Sequence, residues 1–154
     1  MDTSVTIIGV IIMALIAIPL YKVFRSNALN KSKIKEIYTL YPQCNFGLTD
    51  SQNKKVLSLD QNNKGFLLID FNYDLVQYLF VDLNSVISCK LIPTTEGNSS
   101  TIIKIEFEFQ KKDGSKQQVP FYNIEHDQIT QMRLHEDHEL AKKWQREITV
   151  CLSA

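Results

Sequence analysis

Apolar positions follow three rhythms along this chain. From Thr3 to Tyr21 they are nearly continuous and carry no charge, bracketed by Asp2 and Lys22. At the α-helical rise that run is roughly 28 Å long, close to the ~30 Å hydrocarbon core of a bilayer. Its apolar residues fall on every face, so it is not an amphipathic surface helix. Pro19 lies near the end of the run, where a kink is cheapest. The pattern predicts a transmembrane helix over residues 3–24.

The second rhythm has the period of an amphipathic helix. Ile34, Ile37, Tyr38 and Tyr41 form one stripe, with Lys33, Lys35 and Glu36 off it. Pro42 disfavours helical geometry at Tyr41 and marks the end. Residues 25–42 are therefore expected to be a basic amphipathic neck, its stripe packed on protein or laid against the bilayer.

The third rhythm has period two and begins the domain expected over residues 43–154. Lys54–Asp60 and Gly65–Asp70 are short apolar runs joined by a turn-rich polar link, and Leu75–Val81 and Val86–Ile92 follow. Thr101–Phe109 alternates most cleanly, with Ile103, Ile105, Phe107 and Phe109 against Lys104, Glu106 and Glu108. Asp113-Gly114 signals a hairpin before Gln117–Tyr122, which Pro120 marks as an edge strand. The chain then returns to helical spacing from about Arg133 to Cys151, with Leu140, Ala141, Trp144, Ile148 and Cys151 or Leu152 in one stripe. One amphipathic helix after six or seven antiparallel strands must cover an opening of a curved sheet or barrel, with Trp144 as the plug. The fold class expected is an N-terminal transmembrane α-helix plus an α+β, mainly-β domain: an antiparallel β-barrel closed by a C-terminal helix.

The arrangement resembles the bacterial pleckstrin-homology-like (PH-like) domains. The resemblance is carried by Gly47–Asp50 through Lys54–Leu59, by Tyr78–Ile92, by Thr101–Phe109 and by Glu139–Trp144. The step Asp82–Ser88 is its most family-like piece. The eukaryotic phosphoinositide-binding members need several Lys and Arg around the first hairpin. Here Lys54, Lys55 and Lys64 are diluted by Asp50, Asp60, Asp70 and Asp74.

Charge sharpens the picture. The chain balances 17 basic against 17 acidic residues, 44% of it is apolar, and it contains three cysteines. That composition is too hydrophobic for a disordered chain, gives no global attraction for nucleic acid, and makes no disulfide framework. The zero net charge is a cancellation. Lys22, Arg25, Lys31, Lys33 and Lys35 precede the first acid after the apolar run, Glu36, and Asp2 is the one acid before it. Subtracting these from the totals leaves 12 basic and 16 acidic residues from Glu36 onward. The positive-inside rule then puts the N-terminus outside and the remainder in the cytoplasm, at a cell inner (plasma) membrane crossed once. A cleaved leader would need a basic start and small residues after its core, and neither is present. The five basic residues are expected to lie near lipid headgroups. The sequon at Asn98 would matter only in a glycosylating lumen.

Candidate chemistry is sparse. His126, His135 and His138 cluster with Glu136, Asp137 and Glu139, but the HExxH spacing is absent and a solvated helix start accounts for them. Cys44, Cys89 and Cys151 fit small buried hydrophobes or a connector. The glycines are isolated, so no phosphate loop is present, and Gly-x-Ser-x-Gly is missing. No catalytic residue, metal or cofactor is expected. The reading is a non-enzymatic scaffold, adaptor or regulatory subunit binding the bilayer and protein partners, not nucleic acid. The edge around Phe121 and Tyr122 is the expected contact surface. Sensing of anionic lipid by the neck and first hairpin is the alternative, and an unrecognised enzyme a third.

Overall fold

The computed structural model describes residues 3–126 and 133–154, so Asp2 lies outside it. The chain divides into two compact units, residues 1–42 and 43–154.

The first unit is one helix, α1, Thr3–Thr39. The apolar run and the neck are continuous, because nothing between Lys22 and Tyr41 is a helix breaker. Pro19 is carried inside the helix, where its missing N–H deprives only the Leu15 carbonyl. The last turn tightens, with Leu40 N–H donating to Ile37 C=O and Tyr41 N–H to Tyr38 C=O, both at 3.1 Å, ahead of Pro42. Every large apolar side chain described from Ile7 to Phe24 is more than half exposed. By length and composition α1 can cross a membrane.

The second unit is an α+β domain. Four strands, β1 (Leu48–Gln52), β2 (Lys55–Asp60), β3 (Gly65–Asp70) and β4 (Gln77–Asp82), form one antiparallel sheet in that order. Three more, β5 (Val86–Thr95), β6 (Ile102–Lys111) and β7 (Lys116–Asn123), form the second. Helix α2 (Leu134–Ser153) packs on β5 and caps the sheets. The apolar runs became β2 and β3, buried along their whole length, as expected of strands without polar alternation. The short, polar β1 had no run to announce it. Asn53 and Lys54, at φ of 50° and 62°, make the two-residue turn between β1 and β2. Gly114, at φ 86°, and Asp113, which accepts from Ser115 N–H and Oγ, turn β6 into β7.

One core joins the two sheets and the helix. Phe66 sits 5.8 Å from Phe107, 5.7 Å from Phe109 and 6.0 Å from Trp144 between ring centres. The α2 stripe Leu140, Ala141, Trp144, Ile148 and Cys151 is buried as predicted. Trp144 Nε1 donates to Asp50 Oδ2 at 2.9 Å, and Lys143 Nζ reaches the same oxygen at 2.6 Å. The helix is thereby tied to β1. The Lys143 hydrogen bond holds the Asp50 carboxyl below its ordinary value, against a smaller upward push from burial.

Asp60 organises the turn from β2 to β3. Its carboxylate accepts from Asn45 N–H at 2.7 Å, Asn62 N–H at 2.9 Å, Asn63 N–H at 3.0 Å and Asn63 Nδ2 at 2.7 Å. Burial pushes its pKa up, but these bonds together outweigh it and hold the group below 3.8. A carboxyl depressed on folding stabilises the native state above its unfolded pKa. That contribution is lost as the pH falls from about 4 through the lowered native value. Asp60→Asn is therefore expected to lower stability at pH 7 and to flatten the acid limb of a stability–pH curve followed by Trp144 fluorescence. An unchanged acid limb would contradict this.

Candidate functional site

Four strands end a sheet, and each edge has a different fate. The β5 edge lies under α2, whose Gln145 Nε2 donates to the Cys89 carbonyl at 3.2 Å. β1 is tied to the same helix through Asp50. The remaining two, β4 and β7, flank a groove of about 210 Å³, to which β4 contributes Gln77, Tyr78 and Leu79 and β7 contributes Pro120.

Hydrogen-bond phase shows what each of these two edges offers. Leu83 N–H donates to Lys64 C=O at 2.8 Å. With the register Asp82↔Gly65 to Gln77↔Asp70, this turns the backbone groups of Val81, Leu79 and Gln77 toward β3. Those of Phe80 and Tyr78 therefore point outward. The Phe80 carbonyl confirms the phase, because it accepts from the Gln117 side chain across the gap at 3.3 Å. On β7, Lys111 N–H donates to Ser115 C=O at 2.8 Å, so the outward set is Lys116, Gln118 and Pro120. Pro120 has no N–H to offer there, and Lys116 adds a charge, 3.1 Å from Glu108. Lysine and proline are devices that blunt an edge. β4, with the sequence Gln-Tyr-Leu-Phe-Val-Asp, carries neither.

The β4 side chains match that difference. Leu79 shares the inward phase of buried Val81 yet is 40% exposed, because the sheets part beside it, and Tyr78 is equally exposed. Leu68, buried at 3%, forms part of the groove floor, and Tyr73 lines it as well.

The contact surface expected at Phe121 and Tyr122 is corrected by their burial, at 1% exposure each. The edge position was right; the orientation was not. The register skips Phe121 between the pairs Ile105↔Tyr122 and Glu106↔Pro120. A bulge of this kind lets two successive side chains point inward. No family model, curated protein or solved structure matches this chain. The site therefore rests on its own geometry.

The remaining candidates resolve individually. Lys22, Arg25, Lys31 and Lys35 are exposed on α1. Lys33 lies 3.0 Å from Glu36. By helical phase Lys22, Arg25 and Lys33 fall on one side and Lys31 and Lys35 on the other. The His126 ring lies 4.5 Å from that of Tyr73, tilted by 42°, and His135 lines an open hollow with Glu136 and Glu139. Burial, aided by Lys142, pushes the His138 imidazole down. No group of three or more metal-ligating side chains converges among the described residues.

Asp137 departs furthest from expectation. Placed by the sequence in a solvated helix start, it is fully buried, as is Lys55, whose Nζ lies 3.4 Å from Asp137 Oδ2. Asn53 Nδ2 donates to Asp137 Oδ1 at 2.6 Å, and Lys55 Nζ sits 5.5 Å from the centre of the Phe121 ring. The signal was in the spacing: Asp137 precedes Leu140 and Ala141 by three and four and so belongs to the buried stripe. Glu106, expected on a solvated face, is 7% exposed and pairs with Lys104 at 2.8 Å. Burial pushes the Cys89 thiol up to about 12 and raises Cys44 and Cys151, the opposite of what a nucleophile needs.

Proposed function

We propose that this protein is a non-enzymatic, single-pass membrane adaptor whose domain binds a protein segment along β4. In this reading α1 crosses the inner membrane with its N-terminus outside, and the domain lies in the cytoplasm. The apolar, exposed first half of α1 supports the anchor. The basic collar on both sides of its second half supports the orientation, because such a collar suits an anionic leaflet. Four plus three antiparallel strands capped by a C-terminal helix agree with a PH-like architecture.

The observation that carries the reading is the outer edge of β4, which holds neither lysine nor proline and lies beside an apolar groove. Such an edge can take a further strand, with main-chain bonds giving affinity and the groove giving side-chain choice. The first hairpin is poorly equipped for the lipid alternative. Lys54 is exposed, but Lys55 is buried, and Lys64, in the turn from β2 to β3, bonds the Ala154 carbonyl at 2.9 Å.

A photo-reactive residue at Gln77 or at Gln118, both exposed, tests this in intact cells. Position 77 is expected to give a discrete protein adduct that Tyr78→Pro removes, and position 118 to give none. Equal adducts at both positions, or adducts with lipid alone, would contradict the proposal.

A further inference from the structure

The charge around β4 says what kind of strand it would take. From Gly65 to Cys89 the chain contains no Lys or Arg, while Asp70, Asp74 and Asp82 punctuate it. This stretch comprises β3, β4 and the start of β5, and so contains both the open edge and most of the groove. Asp70 and Asp74 stand at the Gln77 end of β4, and Asp82 closes the other. Asp74 and Asp82 are exposed, and Asp82 holds Asn84 N–H at 3.0 Å. A strand laid along β4 would thus meet apolar surface at its centre, from Leu79 and the groove, and the exposed Asp74 and Asp82 at its ends. The nearby lysines are engaged elsewhere, Lys64 with the Ala154 carbonyl at 2.9 Å and Lys116 with Glu108 at 3.1 Å.

Resting on the adaptor reading, we infer that the segment taken up by β4 is an extended peptide, apolar in the middle and basic at both flanks. The opposite polarity is disfavoured by like charge at both ends, which costs specificity as well as rate of encounter. A second copy pairing β4 with β4 antiparallel would bring Asp82 of one copy toward the Asp74 end of the other. An anionic leaflet would meet the same carboxylates. Both are poorer occupants than a basic segment of another protein.

Outward backbone phase supplies the specific variant. Proline at position 78 removes a donor that faces away from β3, so no bond of the β3–β4 ladder is lost.

The test uses the full chain in neutral detergent micelles and fluorescent peptides KKVTVTVKK and EEVTVTVEE. The basic peptide is expected to bind at least about tenfold more tightly, with the preference shrinking as salt rises past a Debye length of ~10 Å. Asp74→Lys should erode that preference. Tyr78→Pro should abolish binding without lowering the melting transition. N-methylation along one edge of the peptide should abolish binding, and along the other leave it, which keeps the test decisive if that variant misfolds. Equal binding of both peptides, each lost in Tyr78→Pro, would overturn the basic flanks while leaving the strand-binding edge. Absence of binding by either peptide, or binding indifferent to N-methylation, would overturn both. Tyr78-dependent self-association, or capture of anionic vesicles through this edge, would replace the basic segment as occupant and overturn the inference.

Discussion

Asp137→Ala is expected to destabilise the 43–154 unit by about 3–5 kcal/mol, the cost of removing one member of a buried ion pair. Lys55 and Asp137 have no exposed side-chain surface. The ammonium that remains cannot reach water without opening the seat of α2 on the sheets. Asn53, at the tip of the first hairpin, would also lose its 2.6 Å acceptor, while Asn72 Nδ2 holds the Asn53 carbonyl from the other side at 3.1 Å. Replacing both charges by apolar residues of similar volume, Lys55→Met with Asp137→Leu, is expected to restore most of the loss. An apolar pair carries no desolvation penalty. Urea unfolding of the full chain, followed by Trp144 fluorescence, reads both. A single variant costing less than about 1 kcal/mol, as an exposed pair would, would contradict this account of the pair.

Phe121→Ala should be comparably severe, at about 3–5 kcal/mol for a large aromatic removed from a packed core. Its ring meets Phe107 edge-on at 5.6 Å and faces the Lys55 ammonium. The variant therefore loses aromatic packing and a cation–π contact together. Tyr78→Pro is expected to leave stability nearly unchanged while removing the binding edge. The contrast separates two residues that both lie on terminal strands. Phe121 belongs to the fold, and Tyr78 to the surface. Thermal melts that rank the two variants in the opposite order would overturn the assignment of the edges.

Much of the architecture was legible from hydrophobic spacing. The α2 stripe, the Asp113-Gly114 turn, the alternation of β6 and the edge position of Pro120 all depend on local sequence, and local sequence suffices for them. What escaped was set by tertiary neighbours. β1, Leu48-Thr49-Asp50-Ser51-Gln52, is a strand because β2 pairs with it and α2 holds Asp50. Lys55 and Asp137 look like surface charges until the fold brings them together across 82 residues. Phe121 and Tyr122 were expected at a contact surface because Pro120 marks an edge strand, and the bulge that lets both side chains point inward is invisible to the sequence period. The binding edge was missed for a related reason. β4 drew notice for its apolar content, whereas its distinguishing property is the absence of lysine and proline on an outward phase that only the register reveals.

Residue-resolved amide exchange of the full chain tests the open edge most directly. The Tyr78 N–H is expected to exchange far faster than those of Leu79 and Val81, which face β3, and to become protected when the basic-flanked peptide binds. A Tyr78 amide already as protected as Leu79 in the free chain, or one that the bound peptide leaves unprotected, would contradict β4 as the edge that receives a strand.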